Sequence, residues 1–288
     1  PPALSRLNNL KLKQLKGGVF PRPYSLYCAV LPAAAIQIAH IAGCMPSKPL
    51  PTRRHLLYNR AMEIGLEQGE VLEDLFQDKK IIQNVNLYRF TSDSVLLSKF
   101  VRGKKNDDVA DFCAGSGIVG LHFLCLNTHV RSLTLFEMQP ALSDMSARTI
   151  AYNRFEKARA VCTRVQDIGR EYDGRLSLIL CNPPYERGGF ENLTYEKAIC
   201  RKEITITLSE ILDVAARTLK FGGRLAIINR ADRVAELIYG LKKRSLEPKR
   251  LQFVCGTPGG KPYLVMVEAA KGGKEGVEVL PSAVNIAN

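Results

Sequence analysis

The chain has 288 residues, 46% hydrophobic and 24% charged, which supplies apolar material for one large or two small cores and excludes a fibre, a collagen or a wholly disordered chain. Its 41 Lys and Arg against 28 Asp and Glu give a formal +13, a balance suited to a polyanionic partner. The excess is uneven: nine bases and no acid lie between Pro1 and Met62, so the remaining 32 bases face 28 acids and the body is only +4.

Residues 1–62 also hold eight of the fifteen prolines, and no amphipathic period survives between them. They read as a basic, Pro-rich, disordered extension, separate from a domain spanning 63–288. The apolar run from Tyr24 to Ser47 is interrupted by Pro32, Gln37 and His40, which are costly in lipid, so no stable membrane association is expected. Ile41-Ala42-Gly43-Cys44 faintly resembles a lipoprotein cleavage box, but the lead before it is long for a signal peptide. Serines are too few and prolines too many for a transit peptide. The plainer expectation is upstream sequence ahead of a start at Met45 or Met62, on a cytoplasmic protein.

From about Val71 the chain alternates β-rich runs with helical patterns, the signature of a mostly parallel sheet covered by helices. Strands are predicted at Val109–Cys113, Leu133–Phe136, Ala160–Thr163, Leu176–Cys181 and Leu225–Ile228. Val95–Val101 reads as a helix capped by Thr91 to Asp93. Ile118, Leu121, His122 and Cys125 follow helical spacing, as do Ile211, Val214, Ala215 and Leu219 before a stop at Gly222-Gly223. Leu251–Cys255 and Tyr263–Val267, joined by a Gly/Pro-rich turn, read as an antiparallel hairpin closing the sheet.

The eight cysteines form no C-x-x-C pair, and the four histidines have no ligand spacing with them, so no metal site is expected. Cysteines in apolar runs such as Leu178–Cys181 read as small buried hydrophobes in a reducing compartment.

Chemistry enters at the turn after the first strand, Asp111-Phe112-Cys113-Ala114-Gly115-Ser116-Gly117-Ile118-Val119-Gly120. Glycines there let the backbone turn sharply and approach a ligand, and the following helix presents free N–H groups. The Gly115-x-Gly117-x-x-Gly120 spacing, with Glu137 ending the next strand where its carboxylate can bind ribose hydroxyls, reads as a nucleoside-cofactor site. The motif alone does not separate NAD from S-adenosylmethionine. Asn182-Pro183-Pro184-Tyr185, at the end of the fourth strand, does. The prolines lack N–H groups and direct their carbonyls outward, Asn182 offers a carboxamide oxygen, and Tyr185 offers a flat face. Together they fit a planar amine.

Asp111-x-x-Ala114-Gly115-Ser116-Gly117 followed by the Asn-Pro-Pro-Tyr tetrad resembles the class I S-adenosylmethionine-dependent amino methyltransferases. Phe90–Leu97, Lys197–Glu203, Glu247–Val254 and Glu268–Lys274 resemble, more narrowly, the bacterial tRNA adenine-N6 methyltransferases that modify the base 3′ to the anticodon of a valine tRNA. The resemblance covers roughly Leu72 to Pro281. It implies a Rossmann-like class I methyltransferase fold with a mostly parallel seven-stranded sheet, an antiparallel C-terminal hairpin and helices on both faces. It implies S-adenosylmethionine as cofactor, a tRNA anticodon stem-loop as partner, and Asn182, Pro183, Pro184 and Tyr185 as catalytic residues. By the same resemblance, Asp111 sits near the cofactor's amino-acid moiety and Cys113, Ala114, Gly115, Ser116 and Gly117 wrap it. Glu137 takes the ribose, Met138 lies against the adenine, Asp167 bonds the adenine amino group with Ile168 beside it, Thr91, Ser92 and Asp93 cover the cofactor, and Asn182 also borders it. Cys113 and Glu186 depart from the family pattern: the first stands where the loop usually has glycine, the second adds an acid after the tetrad.

Lys79, Lys80, Arg187, Arg201, Lys202, Arg230, Lys242, Lys243, Arg244, Lys249 and Arg250 are candidate phosphate contacts. A monomer is expected. Three rival functions carry different demands. A release-factor glutamine N5-methyltransferase also grips a planar amide with such a tetrad, but calls for a folded helical domain upstream. An NAD-dependent oxidoreductase leaves the tetrad without a role. A non-catalytic RNA-binding domain explains the bases alone.

Overall fold

In the computed structural model the described residues are 65–86, 92–184 and 205–285, the side chain of Ser92 excepted. The expected extension at 1–62 lies outside them, as do Thr91 and Tyr185. A two-stranded hairpin, β1 (Glu70–Phe76) and β2 (Lys79–Asn84), precedes α1 (Ser92–Phe100). There follow β3 (Asp108–Phe112), α2 (Ile118–Leu126), β4 (Ser132–Glu137), α3 (Pro140–Asn153), β5 (Ala158–Cys162) and β6 (Leu176–Cys181). The chain continues through α4 (Leu208–Thr218), β7 (Leu219–Arg230), α5 (Val234–Lys242), β8 (Leu246–Cys255), β9 (Pro262–Lys271) and β10 (Glu278–Val284).

The main sheet runs β10-β8-β9-β7-β6-β3-β4-β5, with β9 antiparallel to both neighbours and the remaining pairs parallel. The expected α/β class and C-terminal hairpin are present. Among the described residues the sheet has eight strands rather than seven, because β10 adds itself parallel to β8 at the edge. Side chains alternate across the sheet. Val109, Leu133, Leu135, Leu178 and Leu180 pack with residues of α1 and α2 on one face, while Ala110, Phe112, Phe136 and Ile179 pack with α4 and α5 on the other. Both faces are covered, which is why β6 is buried along its whole length.

Two details depart from the sequence pattern. The glycine pair does not stop α4: the helix ends at Thr218, the strand starts at Leu219, and Gly222 and Gly223 lie in an irregularity of β7 between the Leu176↔Leu219 and Leu178↔Arg224 pairs. The helical spacing through Leu219 was thus one residue of strand longer than the helix. The helix α2 buries Ile118 through Leu124 rather than a single stripe. Its second face is covered by the N-terminal hairpin, where Phe76 meets the His122 ring edge-to-face, and by α1, where Ser98 Oγ lies 2.7 Å from His122 Nδ1. Among the described residues no helix is long and apolar enough to cross a membrane.

The hairpin is fastened to α3 by side chains that mimic a further strand. Thr149 Oγ1 accepts from the Ile82 N–H at 3.1 Å, and Asn153 both accepts from Lys80 N and donates to Lys80 O, at 3.0 and 2.7 Å. Arg148 clasps Glu70 through two hydrogen bonds of 2.7 and 2.6 Å, and the Glu70 side chain is only 2% exposed. The guanidinium holds that carboxyl below its ordinary range. Removing the cation leaves the Glu70 carboxylate without its main partner, so Arg148→Ala is expected to destabilise the protein by about 1–2 kcal/mol in urea unfolding near neutral pH. Because Glu70 has a depressed pKa, this contribution is present above the ordinary carboxylate pKa and fades as pH falls through the depressed one; the deficit of the variant should shrink in acid.

Candidate active site

The order of strands reverses between β3 and β6, since β3 leads to β4 on one side while β6 and β7 lie on the other. In an open parallel sheet that reversal leaves a crevice beyond the carboxyl ends of the strands. The glycine-rich turn leaves β3 and the Asn-Pro-Pro segment leaves β6 at this place, and Phe112 and Cys181 are register partners, so the two motifs emerge side by side.

Cys113, Gly115 and Gly117 all have left-handed backbone, at φ 57°, 57° and 87°. At Gly117 a Cβ would meet Leu135 Cδ1 at 2.9 Å, so both conformation and space demand glycine. A Cβ at Gly115 would meet nothing within 4 Å, which marks the open side of the turn. Cys113 adopts the same conformation at a cost of about 1–2 kcal/mol, the physical content of its departure from glycine. Its thiol neighbours that of Cys181; burial first, and then Cys113, push the Cys181 thiol well up and keep it protonated.

The loop is held from three sides. Gly115 N–H donates to Glu137 Oε2 at 2.8 Å, Ser146 Oγ donates to Gly115 O at 3.0 Å, and Gln83 Nε2 donates to Ser116 Oγ at 2.5 Å. Glu137 is buried at the end of β4, and its other oxygen accepts from Gln139 N at 2.9 Å. Burial pushes its carboxyl up. Asp111, 1% exposed, accepts from Gly120 N–H at 2.8 Å through Oδ2, while Oδ1 is buried with no hydrogen-bond partner among the described residues. Burial raises its pKa to about 8, against the Gly120 N–H and with help from the Glu137 charge.

On the other lip of the crevice, Asn182 is half-buried and Pro183 buried, and Asn182 Nδ2 donates to Ser94 Oγ in the first turn of α1 at 3.0 Å. The oxygen end of the carboxamide is thereby presented on the opposite side. Asp93 accepts at Oδ1 from Tyr263 OH at 2.9 Å and from Asn285 Nδ2 at 2.8 Å. Ala114 is buried and Met138 half-buried beside Glu137. Asp167 is exposed in a single 3-10 turn after β5, whereas Ile168 is buried in the core against the α4 face.

The structure thus brings Asp111, the Cys113–Gly117 turn, Glu137 and Asn182-Pro183-Pro184 to one end of the sheet. Sequence reasoning missed Gln83, Ser94 and Ser146, whose roles depend on partners far away in the chain. Several candidate phosphate contacts are committed to local partners: Lys80 to Asp74, Arg244 to Asp213, and Arg250 to Glu268 and the Phe100 ring. Arg230, at the carboxyl end of β7, stands at the same end of the sheet as Asn182-Pro183-Pro184, paired with Asp232.

A sequence model for the methyltransferase small domain matches residues 88–244. The chain is similar to a tRNA1(Val) (adenine(37)-N6)-methyltransferase of Dickeya chrysanthemi, 26% identical over 195 residues that make up 66% of this chain and 75% of that protein. A protein of the same name from Flavobacterium johnsoniae is 25% identical over 190 residues, covering 64% of this chain and 78% of its own length. Among solved structures, that of a predicted O-methyltransferase from Agrobacterium tumefaciens superposes with a TM-score of 0.53 at 19% identity, over 66% of this chain and 86% of the other.

Proposed function

The chain belongs to the methyltransferase small domain family and is an S-adenosylmethionine-dependent methyltransferase, and from that premise we propose that it methylates N6 of an adenine in RNA, the anticodon-loop adenine 3′ to the anticodon of a valine tRNA. The observation that carries the reading is Asn182-Pro183-Pro184 at the carboxyl end of β6, beside the glycine turn, with the Asn182 carboxamide nitrogen turned toward Ser94. The names of the relatives support adenine as the target.

The residues fit the methyl donor. Asp111 keeps a buried oxygen without a partner among the described residues, suited to the donor's ammonium group; the open side of Gly115 leaves room for its backbone approach; and Glu137 lies where ribose hydroxyls would meet a carboxylate. When bound, S-adenosylmethionine supplies a methyl group already activated on a sulfonium. Asn182 Oδ1 and the Pro183 carbonyl accept the two hydrogens of the target amine, holding its lone pair out of conjugation with the ring and in line for attack. The same two dipoles face the positive charge that develops on nitrogen. No general base acts before transfer. The adenine reaches the tetrad by leaving its stack, at lower cost in a single-stranded loop than in a duplex. Thr91 to Asp93, Met138, Asp167 and Ile168 complete the proposed cofactor surroundings, and the enzyme acts in the cytoplasm, where tRNA is.

Tyr185 separates this reading from release-factor methylation. As a stacking platform for adenine its ring is worth about 1–3 kcal/mol. Activity on tRNA is therefore expected to survive Tyr185→Phe and to collapse with Tyr185→Ala. Methylation of a release-factor glutamine, with tRNA left untouched, would move the function to that substrate and leave the cofactor in place.

A further inference from the structure

We infer that Ser94 is a positioning residue for methyl transfer, anchoring the Asn182 carboxamide in place beside the substrate. The inference rests on the adenine-N6 reading above and deepens it. The last torsion of an asparagine is broad and two-fold, so covalent geometry does not choose between presenting the oxygen and presenting the nitrogen. The choice belongs to hydrogen-bond partners. Catalysis by the tetrad needs the oxygen toward the amine, because an inverted carboxamide would offer N–H groups to N–H groups.

The structure supplies one partner that anchors the carboxamide: the Ser94 hydroxyl fixes its place and plane, and the N–H groups of the target amine, which only an acceptor can satisfy, select its oxygen. Ser94 is 1% exposed, and its Oγ accepts from Asn182 Nδ2 at 3.0 Å across 88 residues of sequence. The position of that hydroxyl is itself fixed. One residue earlier, Asp93 Oδ1 takes hydrogen bonds from Tyr263 OH at the start of β9 and from Asn285 Nδ2 just after β10, and these two donors are joined to each other at 2.8 Å. One turn later, Ser98 Oγ meets His122 Nδ1 of α2 at 2.7 Å. The first turn of α1 is therefore tied both to the C-terminal strands and to the helix that follows the glycine turn. Ser94 is its contact with the tetrad. This also accounts for strand β10, which the sequence pattern does not announce: its end delivers Asn285 to Asp93.

The test is kinetic and needs two substitutions. Ser94→Ala removes the acceptor and Ser94→Cys keeps the volume with a much weaker one. Each is expected to lower kcat on tRNA by about 10- to 100-fold, the scale of a displaced reacting group, with donor affinity by calorimetry and thermal midpoint matching the wild type. In an Asn182→Ala background, Ser94→Ala should have no further effect, since Ser94 acts only through Asn182. Wild-type turnover in Ser94→Ala, or its full slowing repeated in the Asn182→Ala background, overturns the inference. So does a loss of donor affinity in step with kcat, which makes Ser94 a structural residue. Failure of the adenine reading itself is distinguishable, because the wild-type enzyme would then leave tRNA unmethylated.

Discussion

Asn182→Ala is expected to lower the rate of methyl transfer about 10²–10³-fold while leaving affinity for the methyl donor within a few-fold. The carboxamide is half-buried at the end of β6, its nitrogen engaged by Ser94, so its oxygen is the group available to the target amine. Replacing it with a methyl group removes one of two oriented acceptors and releases the lone pair to the ring. The proposed donor cradle of Asp111, Gly115 and Glu137 comes from β3, the turn after it and β4, and is built without Asn182. Single-turnover kinetics with labelled donor separates the two effects. Near-normal turnover would make the tetrad structural.

The second large effect is a pH dependence of donor binding centred on Asp111. Burial holds its carboxyl protonated up to about pH 8, and its Oδ1 has no partner among the described residues. An ammonium group arriving there favours the ionised form, so binding expels the proton. Below about pH 7, where the donor's amino group is itself fully charged, affinity should rise about tenfold for each pH unit. Calorimetry in buffers of different ionisation enthalpy should register release of close to one proton. Asp111→Asn, which imitates the protonated acid in shape, should bind weakly and show no such slope. The sign for stability without ligand runs the other way. A raised carboxyl pKa contributes stability in full below the ordinary carboxylate range, and that contribution drains away as pH climbs through about 8. Asp111→Asn should therefore gain stability relative to wild type at neutral pH. Binding without proton release would remove Asp111 from the donor site.

Much of the sheet was legible in the sequence because parallel strands covered on both faces must be continuous apolar runs: Leu176–Cys181 matches to the residue, and the β3 and β4 runs differ by one. The hairpin of β1 and β2 was not, since Glu70–Phe76 and Lys79–Asn84 carry Glu70, Glu73, Asp74, Lys79 and Lys80 among their apolar residues and owe their strand state to each other and to Thr149 and Asn153. Strand β10 carries Pro281 and exposed residues, a pattern that only an edge position explains. At the site, Asp111 and Asn182 were legible because strand-to-turn spacing locates them. Gln83 and Ser94 were not, because their partners lie 33 and 88 residues away and nothing local marks the pairing.

The central claim, that this methyltransferase acts on N6 of an anticodon-loop adenine, is tested most directly by incubating tRNA with the full chain and methyl-labelled S-adenosylmethionine, digesting to nucleosides and analysing them by mass spectrometry. The account predicts label in N6-methyladenosine, mapped by fragment analysis to the adenine 3′ to the anticodon of valine tRNA. Label in any other nucleoside, or unlabelled tRNA alongside a release factor carrying N5-methylglutamine, would contradict it.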